Sequence, residues 1–186
     1  MIFMIRNAYN MVLYKHGQVL YTRVSATISE YLNTVVQERI LPVVDRLGSG
    51  GSAVELEFLR KLKEAWEEHG TCLQMIRDVL MYLDRTFVKT LGLPDVYTVG
   101  QNLFRDIVLL HNKIRPSIVS SFLHQVDLER RGELVDLFLL KKVTEMLLDF
   151  EIEPGRFSTI KIDHSSGKSV QCALGRGILA LEYRVL

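Results

Sequence analysis

SAVELEFLRKLKEAWEEHGTCLQMIRDVLMYLDRTFVKTLGLP, residues 52–94, is the stretch whose reading decides the fold. Leu59, Leu62, Trp66, Leu73, Ile76, Leu80, Leu83 and Phe87 fall at alternating steps of three and four, and His69 fills the remaining slot of the seam. That spacing keeps one stripe of a long helix apolar, and such a stripe is stable only when packed on other helices. Ser52 with Glu55 reads as a capping box at the start. Leu91, Gly92, Leu93 and Pro94 read as the stop, because glycine tolerates the left-handed conformation after a helix and proline cannot continue it. His69 is expected to be partly buried with a hydrogen-bond partner. Cys72, among Leu73, Ile76 and Trp66, is expected to be an inert core residue.

Upstream, Ile5, Ala8, Tyr9, Val12, Leu13 and Leu20 recur at helical spacing, which predicts a first helix ending near Leu20, where Gly17 weakens the pattern. Thr22 is then a candidate N-cap for a second helix carrying Val24, Ile28, Tyr31, Leu32 and Val35, with Pro42 breaking or kinking it at Leu41. LGSGGS, residues 47–52, reads as a flexible connector. Met1 to Tyr9 hold more apolar side chains than one helix face can bury, so part of them forms an interaction patch or is covered by an upstream helix.

Downstream, Asp95 is a candidate N-cap for a helix with Val96, Val99, Leu103, Ile107, Leu110, Ile114, Ile118 and Phe122 on one stripe, kinked at Pro116. A charged segment, Asp127 to Glu133, leads to a fifth helix bearing Val135, Phe138, Leu139, Val143, Met146, Leu147 and Phe150, closed by Pro154 and Gly155. From about residue 151 the pattern changes to FSTIKID, SVQCAL and ILALEYRVL, which read as a short β-meander or a weakly ordered tail. The fold class is therefore all-α for residues 1–150, with an appended tail at 151–186.

Composition excludes several functions. The 186 residues are 48% hydrophobic, enough for a sizeable core, and the formal net charge of +1 leaves no large field to hold nucleic acid or an anionic membrane. No run reaches the roughly 18 consecutive apolar residues of a membrane span, and residues 1–7 lack the features of a secretory signal. Two cysteines, Cys72 and Cys172, make no disulfide framework. These features predict a cytoplasmic or nuclear protein.

No catalytic pattern stands out. Gly167, Lys168 and Ser169 resemble the end of a phosphate loop, but the glycine required five residues before Gly167 is Ile162, and a strand pattern follows where a helix should. Nucleotide binding through Lys168 is the enzyme-class alternative to a turn facing solvent. His16, His69, His111, His124 and His164 are scattered without ligand spacing, so neither a metal nor another cofactor is expected.

Four ordered blocks carry a resemblance. RNAYNMVLYKHGQVLY (6–21), EAWEEHGTCLQMIRDVLMYLDRTFV (64–88), DVYTVGQNLFRDIV (95–108) and ERRGELVD (129–136) resemble the N-terminal region of a cullin, most of all cullin-three-type members, in register from about Ile5 to Leu148. The resemblance implies five-helix cullin repeats, with the first four helices here as the second to fifth of repeat one and the next as the first of repeat two. It implies a non-catalytic scaffold of a ubiquitin ligase whose second and fifth helices dock a BTB-domain substrate adaptor for ubiquitin-dependent degradation. Tyr9 and Tyr97 match the aromatics that contact the adaptor. Ile5 stands where the family usually has a tyrosine, Leu13 shares the face of Tyr9, and Leu93 adjoins Tyr97.

The match begins at the second helix, with Met1 to Met4 replacing the family's polar-aromatic lead into it, and the connector at Gly48 to Ser52 is longer than usual. Nothing after about Glu151 matches, so the RING subunit is not expected to bind this region. A shortened product or an imperfect gene model would account for both ends. A Skp-like adaptor on the same face and a self-associating helical module are the other binding-class readings.

Overall fold

The seam of residues 59–87 does build a helix, and the computed structural model, which describes residues 2–150, holds six helices and no strand among those residues. They are α1 (Ile2–Leu13), α2 (Gly17–Val35), α3 (Leu47–Leu83), α4 (Val96–Phe104), α5 (Ile114–Arg130) and α6 (Leu137–Asp149). Three of them lengthen through a widened π turn: α2 through Val36–Ile40 into Leu41–Val44, α3 through Asp84–Val88 into Lys89–Leu91, and α4 through Arg105–Leu109. The tail strands, the Pro154 and Gly155 stop, Lys168 and Cys172 lie outside the described residues.

Helix ends show where local chemistry was readable. Gly92 has φ 64° and closes α3 with the bonds Gly92 N–H to Lys89 O, 3.4 Å, and Leu93 N–H to Val88 O, 3.1 Å, as the glycine predicted. Asp95 caps α4 by accepting from the Thr98 N–H at 2.7 Å. Asp136 caps α6 through Leu139 N–H, so Val135 precedes that helix rather than joining its stripe.

Other boundaries correct the sequence reading. The first helix ends at Leu13, not near Leu20, and the second starts at Gly17, not at Thr22. The turn is made by Lys15 at φ 65°, with His16 N–H bonded to Met11 O at 2.8 Å and Lys15 N–H to Val12 O at 3.0 Å. This is the usual glycine closure performed by a lysine, so the residue that normally signals it is missing. Gly17 serves the next step: a Cβ there would lie 2.7 Å from the Phe87 ring, and only a glycine lets α2 begin so close to α3.

Pro42 does not break its helix, and Pro116 does not kink one. The chain stays helical through Val44, with the π turn immediately before Pro42 altering the bonding that the ring would disrupt. At Pro116 there is no kink in a continuous helix: α4 and its π turn finish at Leu109, the polar run 111–113 turns, and α5 starts at Ile114. Pro116 thus sits in a first turn, where N–H groups lack intrahelical partners in any case. The LGSGGS connector is likewise mostly helical, broken only at Gly51 with φ 61° and ψ −165°. Cys72 is exposed, contrary to the core assignment, because it sits beside the buried line of His69 and Leu73 rather than on it.

The helices divide into two units. One comprises residues up to Pro42 together with Glu64–Ile114, and its core cluster joins Ala8 of α1, Leu80 and Leu83 of α3, Val88 and Val96, flanked by Val12, Leu20, Tyr21, Val24 and Leu93. The other comprises Val43–Lys63 with the described residues from Arg115 onward, and it buries Phe58, Leu62, Phe122, Leu140, Val143 and Met146. Within it the buried Gln125 amide donates to Ser52 Oγ at 3.0 Å and Glu55 Oε2 at 3.1 Å, while His124 Nδ1 donates to the same carboxylate oxygen at 2.6 Å. The two residues read as a capping box therefore bind α5.

Candidate docking face

In the first unit, one core cluster orients both helices that the sequence singles out. Ala8 and Val12 turn α1 inward onto Leu80, Leu83 and Val96. Successive helix residues are about 100° apart, so Tyr9 and Leu13, one position further on, come to the outer flank. Ile5, Tyr9 and Leu13 line up at i, i+4 and i+8, and are 36%, 40% and 54% exposed. The Tyr9 ring rests on Tyr82 of α3, with centroids 4.6 Å apart and planes inclined by 54°.

The same logic applies on α4. Val96 enters the cluster, Tyr97 follows it onto a half-buried flank, and Leu93 packs against the cluster from the preceding loop. The Arg77 guanidinium lies 5.8 Å from the Tyr97 ring centroid, within cation–π range, and the Tyr97 hydroxyl accepts from Gln101 Nε2 at 3.3 Å. Tyr9 and Tyr97 are thus each the next residue after a member of one shared cluster.

Three polar ties hold the loop that presents Leu93 and Tyr97. The Tyr21 hydroxyl donates to the Pro94 carbonyl at 2.8 Å, Asp84 Oδ1 accepts from Val96 N–H at 3.2 Å, and Asp95 caps Thr98. Two carboxylates therefore meet the positive end of α4. Burial pushes the Asp84 carboxyl up, and the Val96 N–H, which prefers the charged form, opposes that shift. Burial likewise raises the Tyr21 phenol, assisted by the charges of Asp84 and Asp95.

A fourth tie lies deeper. His69 is buried, as expected, and its Nε2 donates to the Gly100 carbonyl of α4 at 3.0 Å while its ring stacks on Phe104 at 5.2 Å. Burial lowers its pKa, partly offset by the bond to Gly100. Gly100 leaves no room for a side chain, since a Cβ would sit 2.2 Å from Leu73 Cδ2.

Sequence reasoning missed Tyr82 and Arg77, which support the two tyrosines from α3. Tyr82 lies between seam positions 80 and 83, where an aromatic has no reason to serve the seam, and that misplacement was the available signal. At the start of α1, Ile2, Phe3 and Met4 are exposed in this chain. Among the described residues no group of three or more metal-ligating side chains occurs, and no helix is long and apolar enough to cross a membrane.

Comparison with known proteins bears on the family and the helical fold. The family model described as the cullin alpha solenoid domain matches residues 3–160. Cullin-3 of Dictyostelium discoideum is 35% identical over 147 residues, covering 79% of this chain and 18% of that protein. Cullin-3A and Cullin-3B of Arabidopsis thaliana are 39% and 38% identical over 144 residues, covering 77% of this chain and 18% of each relative. The chain spans about 18% of the length of the curated relatives it matches.

Proposed function

The chain belongs to the cullin family, and from that premise we propose that it acts as a non-catalytic docking scaffold of a cullin-RING ubiquitin ligase, holding a BTB-domain substrate adaptor on the α1 and α4 flank. The observation that carries this reading is the common placement of Tyr9 and Tyr97. Both are large aromatics kept partly in solvent by a core that buries the residue before each. Aromatic anchors beside smaller apolar residues are the usual centre of a protein interface, and a few such residues carry most of its energy. Ile5, Leu13 and Leu93 extend the apolar area around them. Such a scaffold would work in the cytoplasm or nucleus, where the ligase machinery meets its substrates.

The test is binding of the full chain and its Tyr9→Ala, Tyr97→Ala double variant to a panel of BTB domains, with a Skp-like protein as control. The reading expects the chain to bind at least one BTB domain and not the control, and the variant to lose that binding while keeping its helical circular dichroism. Equal affinity of the variant would remove the α1 and α4 flank from the interface. Preference for the Skp-like control would reassign the adaptor class. The exposure of Ile2, Phe3 and Met4 supports a second reading, self-association through the start of α1. A dimer in sedimentation that excludes the BTB domain would favour it.

A further inference from the structure

The core cluster decides which side of α1 turns outward, but it does not decide how the Tyr9 ring lies there. Ala8, the cluster member beside it, ends at its Cβ and offers the phenol no lateral surface, and the Tyr9 side chain is 40% exposed. On a helix a long side chain keeps two open χ1 wells, near 180° and −60°. A ring free to exchange between them loses that freedom when a partner immobilises it, and the loss is subtracted from affinity. A ring already held in one well does not pay it again.

Tyr82 of α3 supplies the wall that Ala8 cannot. Its ring centroid stands 4.6 Å from that of Tyr9 with the planes inclined by 54°, at a separation where tilted aromatic pairs attract. Tyr82 is itself a fixed reference. It is half-buried and lies between Leu80 and Leu83, which are both buried in the cluster. Its carbonyl accepts from Thr86 Oγ1 at 2.7 Å, where α3 widens into the π turn Asp84–Val88. Tyr97 is held by other means, the Arg77 guanidinium over its ring and the Gln101 amide on its hydroxyl. The two anchors of the face thus have separate supports.

We propose that Tyr82 is a positioning residue of the docking face: it sets the Tyr9 ring in its binding orientation before the partner arrives and leaves Tyr97 to its own supports. This role rests on the adaptor reading above and extends it to α3, a helix outside the α1 and α4 flank. Tyr82 acts through Tyr9, so its contribution to affinity exists only while the Tyr9 ring is present.

The experiment compares the full chain with Tyr82→Leu, which keeps apolar bulk without a ring, and Tyr82→Phe, which keeps the ring, by calorimetric titration against a BTB domain. Tyr82→Leu should weaken binding about two- to tenfold, the scale of one aromatic pair, and Tyr82→Phe should leave it unchanged. In a Tyr9→Ala background Tyr82→Leu should have no further effect, whereas in a Tyr97→Ala background its full effect should persist. A merely structural role would weaken binding in both backgrounds. No loss with Tyr82→Leu alone, or the same loss once Tyr9 is alanine, would overturn the proposal and leave the adaptor reading standing. A chain that binds no BTB domain would instead overturn the adaptor reading, and the docking role of Tyr82 with it. Fluorotyrosine in place of Tyr9 reads the ring pair without an adaptor: its fluorine resonance should move with Tyr82→Leu and hold with Tyr82→Phe, and a resonance indifferent to Tyr82→Leu would overturn the proposal at its first step.

Discussion

Replacing Gly100 by alanine sets two known effects against each other, and the structure says which prevails. In the middle of α4 the exchange should stabilise by about 0.5–1 kcal/mol through helix propensity. Against this, the new Cβ would stand 2.2 Å, 2.8 Å and 3.1 Å from Cδ2, Cδ1 and Cγ of Leu73. Leu73 is 1% exposed and cannot swing into solvent, so α4 must move away from α3. Overpacking of this kind costs about 1–3 kcal/mol, and a retreating α4 also stretches the bond from buried His69 to the Gly100 carbonyl, worth about 0.5–1.5 kcal/mol. The net expectation for Gly100→Ala is destabilisation of about 1–3 kcal/mol, read as a lower urea midpoint. The context test is Leu73→Ala, which opens space at the contact: in that background Gly100→Ala should become neutral or stabilising, a coupling visible in a double-mutant cycle. Stabilisation by Gly100→Ala in the otherwise unchanged protein would refute the close approach of α4 to α3. Because Tyr97 rides on α4, the single variant should also bind a BTB domain more weakly.

Two further outcomes concern the ties around the same helix. His69 is held neutral by burial, so its folded pKa lies below the ordinary value of about 6.5. Its stabilising effect is complete above that value and declines as pH falls toward the folded pKa, because there the unfolded chain binds a proton that the folded chain refuses. Urea midpoints between about pH 7.5 and pH 5 should fall less steeply for His69→Gln, which keeps a donor for the Gly100 carbonyl, and parallel profiles would contradict the assignment. Tyr21→Phe removes the bond to the Pro94 carbonyl; since that carbonyl can turn to water, the loss should be near the lower end of 0.5–1.5 kcal/mol, about half to one. Its larger effect should be on adaptor affinity, through a looser loop at Leu93, and calorimetry showing unchanged binding would break that link.

Much of the helical architecture was legible because the residues that specify it are chemically distinctive. The seam from Leu59 to Phe87 has a period that only a helix satisfies, and Gly92 and Asp95 end or begin helices by means that their residue types advertise, whereas the cap at Asp136 went unread and Val135 was placed in the helix. Where an ordinary residue does an unusual task the signal disappears. Lys15 takes a left-handed conformation that glycine would normally take, and the α1 and α2 boundary was displaced as a result. Pro116 was read as a kink because proline is disruptive inside a helix. In a first turn it disrupts nothing, and the break itself lies in the polar run 111–113 just upstream.

The proposed docking face was illegible from periodicity for a different reason. Ala8, Tyr9, Val12 and Leu13 form one continuous apolar stripe on α1, and no spacing rule says which half of a stripe is covered. That choice is made by Leu80, Leu83 and Val96, residues far away in the sequence, which meet Ala8 and Val12 and leave Tyr9 and Leu13 to the flank. Tyr97 is decided in the same way, since Val96 is the residue that this cluster takes in. Family resemblance could point to both tyrosines because it carries the record of how distant segments meet, which a helical wheel does not. The physical content of that resemblance is therefore the cluster between the two helices, and a substitution within it, such as Leu80→Ala, should disturb the placement of Tyr9 and Tyr97 together rather than either one alone.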